Sequence, residues 1–261
     1  MSLPAPNTQQ IKRLNIADAP RVVAVIQARV GSTRLRAKVL RDLGGMPVLE
    51  WVLRAARAAH GINEVVIATS DSPDDDTIEA FGAERGVRVI RGSEDDVLSR
   101  FLLAARLTNA DAIVRLTADC PLLDPQIISQ VVSIWRQDQA VDYVSTTQPR
   151  SLPRGLDVEL VRASALLAAD ARTEPHHRAH VTSAVYEEGA GFVTGSLTFK
   201  PTYDHFRVTL DTDEDAQLLD ALVAKCGTDI PSWRGILRVL EENPEIVALN
   251  AHIEQKPLTE G

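Results

Sequence analysis

The hydrophobic positions fall into short unbroken runs separated by amphipathic stretches. Residues 21–28 (RVVAVIQA) follow a mixed, polar start and predict a buried strand. Residues 47–59 place Leu, Val and Ala at helical spacing behind a proline suited to a first turn. Residues 64–70, 86–91 and 111–116 repeat the strand pattern. Residues 74–85, 95–108 and 125–137 repeat the helical one. This alternation predicts an α/β fold, with a mostly parallel sheet covered by helices on both faces. Ligands of such sheets sit at the carboxyl ends of the strands. The second half is less regular. Strands are expected at 142–147, 157–161, 192–199 and 206–209, and helices at 164–171, 177–187, 213–226 and 232–243. No internal repeat or low-complexity linker divides the chain. The expectation is an extension over residues 1–20 and a single domain over 21–261.

Composition narrows the classes. The chain has 261 residues, 44% hydrophobic and 25% charged, ordinary values for a globular enzyme. A net charge of −8 argues against a nucleic-acid partner, which needs broad basic surface. No run approaches a membrane span, and the start lacks a signal-peptide core. Two cysteines make no disulfide framework and fit a reducing, cytoplasmic setting.

Against that acidic background, Arg29, Arg34, Arg36, Lys38 and Arg41 cluster without an intervening acid. They follow the first strand, and Gly31 among them permits close approach to a ligand. Ser32 and Thr33 add donors, while Arg29, Arg34 and Lys38 supply fixed charge. The segment is neither a Walker A loop nor a dinucleotide fingerprint. Read alone, it is either a solvated basic turn or a site for a small polyanion.

The motif Arg29-x-Gly31-Ser32-x-Arg34-Leu35-x-x-Lys38 resembles the nucleotide loop of cytidylyltransferases related to CMP-KDO synthetase. The segments Ile67–Asp71, Arg91–Arg100, Arg115–Leu122, Gly155–Glu159, Arg178–Thr182 and Leu210–Asp215 are similar to the SpsF-like branch, as is the tail from Asn243-Pro244 to Gln255-Lys256. The resemblance implies a GT-A-like nucleotidyltransferase fold, Mg²⁺ dependence, and transfer of CMP from CTP with release of pyrophosphate. It also implies a homodimer and places Gln27, Ala28, Thr69, Ser70, Asp71, Asp95 and Thr117 beside the nucleotide. One departure stands out: Arg36-Ala37 occupies the place where the family usually has Pro-Gly.

Asp119 ends the fourth strand, and Asp211 lies between a strand and a helix. Both suit oxygen ligation of Mg²⁺, and the resemblance assigns them that role. Each also has a bland reading, as a turn acid and as a helix start. Arg29, Lys38, Asp119 and Asp211 are the expected catalytic set. Candidates for the pocket of a small anionic acceptor are Arg115, Arg154, Asp157, Glu159, His177, Arg178, His180 and Arg207. His176 and His180 have metal-compatible spacing, but no further Cys or His gathers near them to suggest zinc. The rival enzyme class is a GT-A glycosyltransferase using a nucleotide sugar. It expects a second acid after Asp119, where Cys120-Pro121 stand.

Overall fold

A computed structural model of the protein describes residues 19–31 and 34–254. Strand β1 (Val22–Gln27) leads through the basic loop to a small hairpin, β2 (Asp42–Leu43) and β3 (Met46–Pro47). Helix α1 (Val48–Ala58), β4 (Glu64–Ser70), α2 (Asp76–Arg85), β5 (Arg88–Gly92), α3 (Val97–Thr108), β6 (Ala112–Thr117) and α4 (Pro125–Gln137) continue the alternation. The remaining strands are β7 (Tyr143–Ser145), β8 (Glu159–Arg162) and β9 (Thr194–Ser196). Short helices α5 (Ala163–Ala169), α6 (Pro175–Ala179) and α7 (Ser183–Tyr186) lie between the last two, and α8 (Asp213–Cys226), α9 (Trp233–Glu242) and α10 (Pro244–Val247) close the order.

One seven-stranded sheet runs β5-β4-β1-β6-β8-β7-β9. β5, β4, β1 and β6 are parallel, and β8 is antiparallel to both its neighbours. The central strand explains its own composition. Val22, Ala24 and Ile26 enter the core shared with α1, α4, α8 and α9. Val23 and Val25 enter the core shared with α3 and α5. A strand covered on both faces has no position for a polar side chain, so the run is continuous rather than alternating.

Two expectations for the second half need correction. Residues 206–209 form no sheet strand; Arg207 makes only an isolated bridge to Arg154. Residues 177–187 are not one helix. The turn breaks at Val181, whose φ of 54° is left-handed, and the Thr182 hydroxyl leaves the helical register to donate to buried Glu159. The β2–β3 hairpin, which the sequence pattern did not announce, turns on Gly44-Gly45, which both take positive φ. The expected extension lies outside the described residues up to 18.

The bridge at Arg154 matters because it fixes the backbone that leads to Asp211. Arg154 N–H donates to Phe206 O, and Val208 N–H returns to Arg154 O at 2.7 Å. Gly155 makes the approach possible: a Cβ there would fall 2.6 Å from Thr209 N, with φ at +105°. Gly155→Ala is expected to cost about 2–4 kcal/mol, read as a lower denaturant midpoint.

Candidate active site

Three segments distant in sequence meet at Lys38. Its Nζ lies 2.8 Å from Asp119 Oδ2 and 2.6 Å from Asp211 Oδ1. Lys38 opens a single 3-10 turn, Lys38–Leu40, after Ala37. Ala37 N–H donates to Val30 O, closing the basic loop on itself. Asp119 follows β6, and its carbonyl accepts from Leu210 N–H at 2.8 Å and from the Thr209 hydroxyl at 3.1 Å. Those two bonds bring Asp211 alongside Asp119.

Burial works against the charge on Lys38, but the two carboxylates outweigh it and raise its pKa. Burial also opposes ionisation of Asp119, yet Lys38 overrides it and lowers that carboxyl to about 2. Lys38 and Asp119 are therefore both charged at neutral pH. Two hard carboxylate oxygens converge on one cation, which is the donor set a divalent ion such as Mg²⁺ requires.

Behind this pair stands a residue that the sequence reading passed over. Asp215 is fully buried on α8 and accepts from Arg207 Nε at 2.8 Å, Asn250 Nδ2 at 2.8 Å and Asp211 N–H at 2.9 Å. Thr212 and Asp215 also form a reciprocal capping box at the start of α8. The signal was present in Thr212-x-x-Asp215, but it reads as a helix start. Arg207 spans both acids, with Nη2 2.9 Å from Asp211 Oδ2. Arg207 thus holds Asp211 from behind.

The basic loop is held by a second buried acid, Asp75, in the turn before α2. It accepts from Val30 N–H at 2.7 Å, from Thr69 Oγ1 at 2.8 Å and from Ser70 N–H at 3.0 Å. Burial opposes its charge, but the Ser70 and Val30 donors win and lower its pKa. Thr69 and Ser70 are buried and committed to this clasp. Arg34 reaches toward Asp211 at 3.8 Å, and Arg29 is exposed. Gly31 meets Glu94, whose Oε1 would lie 3.4 Å from a Cβ added there. Ser32 lies outside the described residues, as do Gln255 and Lys256 of the tail motif. Asp71 and Asp95 are exposed at the ends of β4 and the β5–α3 turn. Thr117 contacts the buried Cys120 thiol, whose pKa burial pushes well up, which disfavours the thiolate.

The Arg36-Ala37 departure resolves physically. Ala37 takes φ 55°, a left-handed conformation that favours glycine. The mostly exposed Arg36 leans to Asp74 at 3.6 Å, so its charge is not directed at the carboxylate pair.

The acceptor candidates separate into two kinds. Arg115 pairs with Glu159 and donates to Gln27 Oε1 at 3.2 Å. Glu159 also accepts from Tyr143 and Thr182, each at 2.6 Å, so its oxygens are taken by the protein. Ala28 is buried in the core. Asp157 is held by Arg150 through both oxygens. Arg154, by contrast, has no side-chain hydrogen bond or ion pair among the described residues. Burial and neighbouring Arg150 lower its pKa. His180 is half-buried beyond α6. His176, His177 and Glu187 come close enough to share an ion, a grouping that histidine spacing alone did not reveal. Arg172 already bonds both His177 and Glu187, and Arg178 is spent on Asp96 and Asp170.

A cytidylyltransferase family model matches residues 23–245. The chain belongs to the cytidylyltransferase family. Spore coat polysaccharide biosynthesis protein SpsF of Bacillus subtilis is 33% identical over 234 residues, 86% of this chain and 95% of that protein. The 3-deoxy-manno-octulosonate cytidylyltransferase of Acidobacterium capsulatum is 33% identical over 174 residues, 66% of this chain and 67% of that one. A solved cytidylyltransferase from Leptospira borgpetersenii superposes with a TM-score of 0.84 at 30% identity, covering 91% of this chain and all of its own. The fold is the nucleotidyltransferase fold anticipated from the loop motif.

Lys38→Met leaves two carboxylates facing each other. The cytidylyltransferase should lose about 1–3 kcal/mol, between the values for exposed and fully buried pairs. Urea titration should show part of that loss restored by Mg²⁺. Because Asp119 falls from an ordinary 3.8 to about 2, its contribution is present above that ordinary value. The deficit of the variant should therefore shrink as pH falls toward 2. Ala37→Gly should be neutral or stabilising by up to about 1 kcal/mol, since it relieves the left-handed alanine; a clear loss in thermal melts would contradict this.

Proposed function

We propose that the enzyme transfers CMP from CTP to a small anionic, sugar-type acceptor and releases pyrophosphate. The observation that carries the reading is the convergence of Lys38, Asp119 and Asp211 at the carboxyl end of the sheet. Asp119 and Asp211 would hold Mg²⁺, which supplies charge neutralisation for a phosphate group when bound. Lys38 would then turn toward the phosphate oxygens, joined by Arg34 and Arg29 from the same loop. The acceptor oxygen forms a bond to the α-phosphorus while the bond from that phosphorus to the departing pyrophosphate oxygen breaks. Positioning and electrostatics do most of this work. An acceptor nucleophile that is already ionised needs no strong base, which suits a site whose two central acids, Asp119 and Asp211, are paired with cations.

Arg154 is the best candidate to receive the acceptor's anionic group. It is half-buried, its backbone is tied to the Asp211 segment, and its guanidinium is not spent on a protein carboxylate. Arg115, Glu159 and Asp157 would support the pocket wall through their internal pairs. The SpsF and 3-deoxy-manno-octulosonate relatives favour an acceptor from surface-polysaccharide precursor synthesis. No helix among the described residues is long and apolar enough to cross a membrane. We place the enzyme in the cytoplasm as a homodimer. The glycosyltransferase alternative loses its support with the family assignment, since it would release a nucleoside diphosphate.

The test is a pyrophosphate-release screen of the four nucleoside triphosphates against keto-acid sugars and sugar phosphates. CTP with one such acceptor should give turnover, and release of nucleoside diphosphate instead would overturn the reading. Lys38→Met and Asp119→Asn should each lower turnover by about a hundredfold or more. Arg154→Ala should raise the acceptor KM about tenfold or more while leaving the CTP KM unchanged.

A further inference from the structure

The elbow between α6 and α7 carries a cluster of ligating groups that the nucleotide chemistry does not use. His176 and His177 lie on α6, and Glu187 follows the end of α7. One ligating atom from each lies within 4.8 Å of the other two. Sequence spacing pairs His176 with His180. Folding instead gathers His176 with its neighbour and with a carboxylate from beyond the break at Val181.

The partners of His177 fix its tautomer. Its Nε2 lies 3.3 Å from Arg172 Nη2. A guanidinium has donors only, so the ring nitrogen facing it carries the lone pair. The proton is then on Nδ1, which donates to Ser183 Oγ at 2.8 Å. The ring is 2% exposed, so packing holds it as well. Metal-binding histidines are oriented in this way, with the far nitrogen tied to a protein oxygen and the near one free to ligate. Glu187 Oε1 lies 3.6 Å from that Nε2. Atoms bound to one zinc ion at about 2.1 Å sit about 3.4 Å apart in a tetrahedron, so this pair is near the required spacing. His176 packs on His177 with ring centroids 4.0 Å apart and offers a third ligand.

A cation already stands at this point. Arg172 Nη2 donates to Glu187 Oε2 at 2.8 Å and to Glu174 Oε1 at 3.2 Å. Both ion pairs are partly exposed, and such pairs contribute little to stability. A divalent ion that meets two imidazoles and a carboxylate outweighs one of them, and Arg172 keeps Glu174 when it yields its place. Two nitrogens and one oxygen select a borderline ion such as Zn²⁺, whereas Mg²⁺ and Ca²⁺ take oxygen ligands.

We propose that His176, His177 and Glu187 bind one Zn²⁺-type ion, with water as the fourth ligand and Arg172 displaced toward Glu174, and that this ion fastens the elbow between α6 and α7. The elbow delivers the Thr182 hydroxyl to Glu159, which in turn holds Arg115. The role is structural. The site shares no residue with the Asp119–Asp211 pair and does not depend on the CTP reading.

The experiment uses untagged, chelator-treated enzyme, with Mg²⁺ in excess to compete at Asp119 and Asp211. Co²⁺ is the spectroscopic probe and Zn²⁺ the calorimetric one. One Co²⁺ per chain should bind with the intense visible bands of a four-coordinate ion, and Zn²⁺ should abolish them. Zn²⁺ should also raise the melting temperature. His176→Gln and Glu187→Gln change side chains that are not fully buried, so the metal-free melt should stay near that of the wild type. Each should weaken Zn²⁺ binding about tenfold or more. Arg172→Met should tighten Zn²⁺ binding about threefold, because the competing cation and its exposed ion pair are gone. An enzyme that takes up no Zn²⁺ under these conditions overturns the inference. So does Zn²⁺ uptake that neither His176→Gln nor Glu187→Gln weakens, which would place the ion elsewhere. An Arg172→Met enzyme that fails to bind Zn²⁺ more tightly overturns the displacement of Arg172 on which the site depends.

Discussion

The Lys38 ammonium between the Asp119 and Asp211 carboxylates is the contact on which the arrangement of the site depends. It joins the loop after β1, the turn after β6 and the segment before α8, which share no strand pairing with one another. Like charges this close would drive the two acids apart without a cation between them. Lysine serves that role as a compact point charge on a flexible stem. The same contact holds the three segments at hydrogen-bond distance of one another.

Two buried carboxylates keep that contact in place, and neither touches it. Asp215 anchors Arg207 and the Asp211 and Thr212 N–H groups at the head of α8. Asp75 draws Val30 to the end of β4 and so fixes where the basic loop begins. In each case one carboxylate satisfies several donors that would otherwise be buried unpaired. On the other side, Glu159 gathers Arg115, Tyr143 and Thr182 into a single network. That network accounts for the break between α6 and α7, where the chain gives up helical hydrogen bonds to deliver the Thr182 hydroxyl. The ionised groups around the cleft are thus mostly paired. Arg154 and Arg100 stand apart from them, and their settings differ: Arg154 is half-buried near Arg150 and Asp157, and Arg100 is sealed over the end of β5.

The strands and helices of the first half were legible because each carries a one-dimensional signal. A two-faced buried strand such as 22–27 must be apolar throughout, and α4 shows its apolar stripe behind an Asp124 cap and Pro125. The segment around Phe206 reads as a strand by composition, yet only a single bridge to Arg154 forms. The basic loop, Asp119 and Asp211 were recognisable from charge placed at strand ends and from their motif. Asp75 and Asp215 were not, and Glu159 stood out as a pocket candidate rather than as the partner of Arg115, Tyr143 and Thr182. An acid followed by helical residues looks like a cap whether it faces water or several buried donors.

By itself the sequence determined the strand and helix alternation of the first half, the family, and the identity of the groups that carry charge to the carboxyl edge of the sheet. These are local properties, written in periodicity and in contiguous motifs. The tertiary structure decided which charges cancel and which stay available. Arg115, Arg150, Arg154 and Arg207 are alike as letters. Three of them are matched to Glu159, Asp157 and Asp211 across separations of 44, 7 and 4 residues, and Arg154 is not. Pairing depends on distances of a few ångströms between segments that the chain brings together only on folding. The same is true of Arg100, whose burial over Gly92 exists only once α3 has packed on β5.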